Sequence, residues 1–102
     1  MTLYVGEAVR IKATVTDPET GSALNPAPVS AVVDFWAPGT DRKVDSPAVA
    51  NVSMTYRSTT KDYVLFQSTS GSPWVAGKWV YRVTVTGSTY INFEYASFTL
   101  KA

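Results

Sequence analysis

The fold is decided by the stretch Ala76-Gly77-Lys78-Trp79-Val80-Tyr81-Arg82-Val83-Thr84-Val85-Thr86-Gly87. Side chains alternate across a pleated backbone. Trp79, Tyr81, Val83 and Val85 therefore share one face, and Val80, Arg82, Thr84 and Thr86 share the other. Two aromatics followed by two β-branched residues, bracketed by glycines, is the pattern of a central strand whose aromatic row must be covered by a second layer.

Working outward, the rest of the chain supplies that cover. Downstream, Ala96, Phe98 and Leu100 alternate with Ser97, Thr99 and Lys101 in a terminal strand. Just before them the apolar phase is reversed: Ile91, Phe93 and Tyr95 are large and apolar, while Asn92 and Glu94 are not. Either a bulge near Glu94 adds one residue and reverses the faces, or this face is meant for another molecule. Upstream, Tyr63 and Leu65 oppose Val64 and Phe66 in a strand over 63–68, and a loop over 69–73 carries Trp74 at its end. Residues 50–57 read as one strand with Val52, Met54 and Tyr56 in phase. Residues 40–46 are polar and predict a loop containing a short edge strand.

Residues 29–36 place Val29, Ala31, Val33 and Phe35 on one face and Val32, Asp34 and Trp36 on the other, closed by Pro38-Gly39. In residues 8–16, Val9, Ile11, Ala13 and Val15 alternate with Arg10, Lys12, Thr14 and Thr16, the mark of a half-buried antiparallel strand. Asp17-Pro18-Glu19-Thr20-Gly21 ends it, since proline cannot donate to a ladder and Asp and Gly favour turns. A stiff Asn25-Pro26-Ala27-Pro28 loop follows. Leu3 to Val5 fits a short edge strand ended by Gly6. Nowhere do apolar residues keep helical spacing over eleven or more positions. About seven short strands with Gly, Pro and Asp turns between them predict an all-β, immunoglobulin-like antiparallel sandwich, with residues 1–102 forming one domain.

Composition limits the chemistry. The chain has 102 residues, 45% hydrophobic and 17% charged, enough for one real core. It has no cysteine, so no inter-sheet disulfide, and Trp79, Tyr81 and Phe35 must fill the centre instead. It also has no histidine. Without imidazole or thiol there is no ordinary general base, thiolate nucleophile or zinc site. No Gly-x-Ser-x-Gly elbow is present, and nothing in the spacing positions a Ser–Lys dyad. Asp17 and Glu19 are too few oxygens for calcium, which takes six to eight, and turn initiation accounts for Asp17. The expectation is a protein without enzymatic activity, cofactor or metal.

A net charge of +1, with dispersed basic residues, lacks the clustered patch that nucleic acid requires. Residues 1–7 have neither the basic nor the apolar region of a signal peptide, and no apolar run approaches the ~18 residues of a membrane span. The chain reads as a product made in the cytoplasm, with neither nucleic acid nor membrane as partner.

The remaining signal is aromatic. Trp36, Phe66, Trp74, Ile91, Phe93 and Tyr95 fall outside the inward rows and together form a candidate partner-contact set. Clustered exposed aromatics mark protein interfaces. They also stack on sugars, so a glycan-binding module is the competing reading.

Several motifs resemble the small immunoglobulin-like virion proteins of tailed bacteriophages. Glu7, the strand from Val9 to Val15 and Asp17-Pro18…Gly21 resemble the start of these proteins. Pro28-x-x-Ala31-x-Val33-x-Phe35-x-x-Pro38-Gly39 resembles their second strand and turn. Gly77-x-Trp79-x-Tyr81-Arg82-Val83…Gly87 is similar to their Gly-x-Trp-x-Tyr-Arg strand, and Ser97-Phe98-Thr99-Leu100 to their terminal strand. The similarity spans nearly the whole chain; the departures are the more aromatic stretch up to Tyr95 and the Pro73-Trp74 insertion. The resemblance implies a virion component, foremost a capsid decoration (minor capsid) protein docking on the major capsid protein, with self-association on the particle. A place on the tail or at the head–tail junction, or binding of a host-surface glycan, are the alternatives. A chain that opens on Met1 without a linker is expected to be a free-standing subunit.

Trp79→Ala removes the largest member of the central row. The expected cost is about 3–5 kcal/mol out of a typical total of ~5–15 kcal/mol, enough to unfold the domain. A soluble variant with an unchanged melting temperature would contradict the sandwich.

Overall fold

A computed structural model describes residues 2–14, 30–60, 62–87 and 91–102. The aromatic strand is the centre of a five-stranded sheet, and a three-stranded sheet packs over its apolar face. In chain order the strands are β1 (Thr2–Tyr4), β2 (Ala8–Ala13), β3 (Ser30–Trp36), β4 (Val49–Ser53), β5 (Thr55–Arg57), β6 (Asp62–Ser68), β7 (Gly77–Thr86) and β8 (Ile91–Lys101). The sheets run β1-β8-β7-β3-β4 and β2-β6-β5, and every pairing is antiparallel except β1 with β8. This is the two-layer, immunoglobulin-like β-sandwich expected from the alternation. No helix occurs among the described residues.

The inward rows follow the alternation with two corrections: Tyr81, expected at the centre, is only half-buried against the core, and Ala96 is exposed. Val9, Ile11 and Ala13 of β2 face Ala31, Val33 and Phe35 of β3, Trp79, Val83 and Val85 of β7, and Phe98 and Leu100 of β8. Trp79 is wholly buried. Its ring lies 4.5 Å from Trp74 and 6.5 Å from Phe98, centroid to centroid, and Phe35 meets Trp74 edge-on at 5.2 Å. The Trp79 indole N–H donates to the Val75 carbonyl at 2.9 Å, so the one polar atom of the core's largest side chain is satisfied.

Two further expectations are corrected, and one open alternative is decided. Residues 50–57 are not one strand. Between the Val33–Val52 and Phe35–Val49 pairs β4 carries one residue more than β3, and Asn51 there takes a left-handed conformation with φ 55°. The chain then crosses at Met54, whose amide donates to Ala31 O at 2.9 Å while its side chain enters the core. β5 therefore belongs to the other sheet, and the described strands number eight. A period of two looks the same on either side of such a crossing. Residues 40–46 form turns with no edge strand; β4 fills that edge. There is also no bulge near Glu94, because β8 pairs with β7 without a shift from Ile91–Thr86 to Leu100–Gly77. The reversed apolar phase is real, and Ile91, Phe93 and Tyr95 face away from the core. Val15, Thr16, the turn from Asp17 to Gly21, the Asn25–Pro28 loop and Val29 lie outside the described residues.

Gly77 sits where two elements touch. Its φ is +134°, and a methyl group there would lie 2.6 Å from Pro38 Cγ. Gly77→Ala should lower stability by about 1–3 kcal/mol from backbone strain, with the Pro38 clash added. Gly39→Ala has the same kind of strain (φ +81°) but open space around it. Thermal unfolding of both should show the larger loss at Gly77, at roughly 4–8 °C per kcal/mol.

Candidate functional site

The sequence-predicted contact residues divide among three places. Ile91, Phe93 and Tyr95 stand in a row on the outer face of the five-stranded sheet, 58%, 56% and 43% exposed. Trp36 lies on that same face but is buried, and Trp74 is part of the core. Phe66 is exposed on the outer face of the opposite sheet. The expectation that Trp36 and Trp74 are open to a partner is thus corrected. Trp74 follows the turn closed by Trp74 N–H to Gly71 O, and it folds back onto Trp79 and Phe35, adding a second indole to a core that has no disulfide.

Trp36 is covered by the segment joining β3 to β4. Residues 37–48 cross the outer face and are held compact by their own carboxylates: Asp41 N–H donates to Asp45 Oδ2 at 2.7 Å and Lys43 N–H to Asp41 Oδ1 at 2.9 Å. The Trp36 indole N–H donates to Asp45 O at 2.9 Å. From this segment Arg42 reaches the β8 row, its guanidinium carbon 3.9 Å from the centre of the Tyr95 ring. Such a contact contributes roughly 0.5–1 kcal/mol at an exposed site.

Beneath the row, charge ties three strands together. Asp34 of β3 is buried and faces outward, accepting from Arg82 Nη2 and from the Asn51 amide of the β4 bulge, both at 2.9 Å. Arg82 of β7 is flanked by the Trp36 and Phe93 rings, each 5.3 Å from its guanidinium carbon. Its hydrogen bond to Asp34, opposed by burial and helped by Tyr95, holds it firmly charged. These contacts follow from register, since Asp34 is directly opposite Arg82, which is opposite Tyr95. Sequence reasoning placed Asp34 and Arg82 outward but did not include them or Arg42 in the site; the signal was a lone carboxylate and a lone guanidinium at outward positions of apolar strands.

The resulting surface is aromatic and cationic, with tyrosine and arginine among the residue types that dominate interface energetics. It has no pair of groups poised for proton transfer. Among the described residues, no cluster of three or more Asp or Glu could hold a metal ion.

Phe66 belongs to a second surface. A half-open groove of about 380 Å³ runs over the three-stranded sheet, lined by Arg10, Lys12, Arg57, Val64 and Phe66 among others. Arg10 lies over the Phe66 ring at 5.3 Å. Below it Asp62 is buried, accepting from Arg57 Nε (2.9 Å) and Nη2 (2.8 Å) and from Thr60 Oγ1 (2.7 Å), with Lys12 Nζ 3.6 Å away. The Arg57 fork, then the Thr60 hydroxyl, hold the Asp62 carboxyl well below the usual carboxylate range against the opposing effect of burial.

Because the folded-state value is depressed, ionised Asp62 adds stability at every pH above its unfolded value near ~4. That contribution is lost as the pH falls through the folded value. Melting temperatures of the wild type and Asp62→Asn should differ most near neutrality and converge in strong acid; a constant difference would show that ionisation is not what Asp62 supplies.

No family model matches the chain, and no curated protein or solved structure is significantly similar to it.

Proposed function

We propose that the chain is a non-enzymatic structural subunit of a tailed-phage virion that decorates the capsid shell, docking by the outer face of its five-stranded sheet. The observation that carries this reading is the exposed row Ile91, Phe93 and Tyr95, braced from below by Arg82 and from the side by Arg42. Large apolar side chains held in fixed positions lose little entropy on binding and gain the full area they bury. The motif resemblance, above all Gly77-x-Trp79-x-Tyr81-Arg82, supports the virion setting. Burial of all three tryptophans speaks against a sugar-stacking platform and for a protein partner. Repetition over many equivalent shell sites would make a modest single-site affinity sufficient.

The test is co-sedimentation of the purified protein with undecorated capsids, isolated tails and host cell wall. Stoichiometric pelleting with capsids is expected. Ile91→Ser combined with Tyr95→Ser should weaken it at least tenfold, the ~1.4 kcal/mol or more that interface anchors supply. Pelleting with tails or wall alone would overturn decoration and favour a tail protein or a glycan-binding module.

A further inference from the structure

β8 has a second unused feature besides its aromatic face. Among the described residues, β1 pairs with its outer edge only at Thr99–Lys101. The Val5 N–H donates to Lys101 O at 2.8 Å, so Lys101 directs its backbone groups toward that edge. β8 has no register shift, and backbone direction repeats every second residue. Ile91, Phe93, Tyr95 and Ser97 therefore turn their N–H and C=O groups to the same edge, where no strand among the described residues pairs with them. The segment from Ile91 to Ser97 contains no proline, lysine or bulge, three of the devices that blunt an edge strand; its one charge is Glu94, opposite Val83 in the inward phase, which limits which edges it can pair with.

We infer that a second copy of this chain occupies this edge, β8 against β8 in antiparallel register about Phe93, joining two five-stranded sheets across a twofold axis. The occupant is set by complementarity. In an antiparallel pair, facing residues have the same backbone direction, so only registers of even sum are allowed. Centring on Glu94 would put two carboxylates opposite each other, which is destabilising. Centring on Tyr95 would set the partner's Ile91 opposite Thr99, a position β1 already fills. Centring on Phe93 places Phe93 against Phe93, Ile91 against Tyr95 and Asn92 against Glu94. Each pair is favourable: aromatic with aromatic, aromatic with β-branched, amide with carboxylate. The ladder fits within the open segment. Glu94, the one charge in it, thereby rules out the register centred on itself and finds an amide partner in the register centred on Phe93.

The consequence is a doubled aromatic face, since both copies present Ile91, Phe93 and Tyr95 on the same side of one continuous sheet. A ladder this short buries less than the ~1,200–2,000 Å² of a stable interface, so the dimer forms at high concentration or where copies are gathered on one surface. The inference does not rest on the virion reading, and it is tested on purified protein alone.

Sedimentation equilibrium at millimolar concentration should give twice the 11.1 kDa chain mass. The chain has no cysteine, so single substitutions report register directly. Phe93→Cys should form a disulfide-linked dimer on air oxidation, because facing Cα atoms in this pair lie ~5.5 Å apart. Tyr95→Cys should not, its two copies being displaced along the ladder. Phe93→Pro removes an N–H that points away from β7 and leaves the β7–β8 ladder intact; it should abolish dimerisation with little change in melting temperature. A monomer at millimolar concentration, or equal cross-linking at both positions, would overturn the proposal.

Discussion

Burial of the Trp79 indole between two sheets is the interaction on which the rest depends. The chain has no disulfide to bind its layers together, so the layers hold only by what they bury. Trp79, flanked by Trp74 and surrounded by Phe35 and Phe98, supplies the centre of that buried area. The N–H to Val75 carbonyl bond protects that gain, because an unpaired donor in the core would cancel part of it. Strand β7 is placed by this anchor, and β3 and β8 are placed by their pairing to β7.

Once β7 is fixed, its outward side chains fix the opposite face. Arg82 must find a carboxylate, and the neighbouring strand offers Asp34 directly across. Asp34 in turn holds the Asn51 amide, which stabilises the bulge within β4, three residues before the chain crosses at Met54. One ion pair thus links the outer surface to the route by which the chain reaches its second sheet. The same guanidinium supports Phe93, so the exposed row rests on a charged layer that is itself paired.

β8 joins two kinds of surface in one strand. Its last residues belong to the core and to the β1 pairing, while Ile91 to Ser97 present an aromatic face and an outer edge on which no strand of the described residues pairs. Both are properties usually suppressed in a monomer. Their coincidence on seven consecutive residues is the physical reason that both proposals, docking and self-pairing, are placed on this segment.

The sequence by itself determined the class of the fold and its inward rows. Alternation at Val9–Ile11–Ala13, Ala31–Val33–Phe35 and Trp79–Val83–Val85 admits one burying face per strand, and that is local information. It also marked Ile91, Phe93 and Tyr95 as out of phase. Only the tertiary structure decided between a bulge and an exposed face, because that choice depends on the register of β8 against β7. Only it showed that Trp74 and Trp36 are covered, since the cover depends on how loops fold back: the 71–74 turn brings Trp74 onto Trp79 and the distant Phe35, and the Asp41–Asp45 turn folds back over Trp36. The split of residues 50–57 between sheets was invisible for a simpler reason. A period of two records which side chains point inward and carries nothing about the sheet to which a strand belongs.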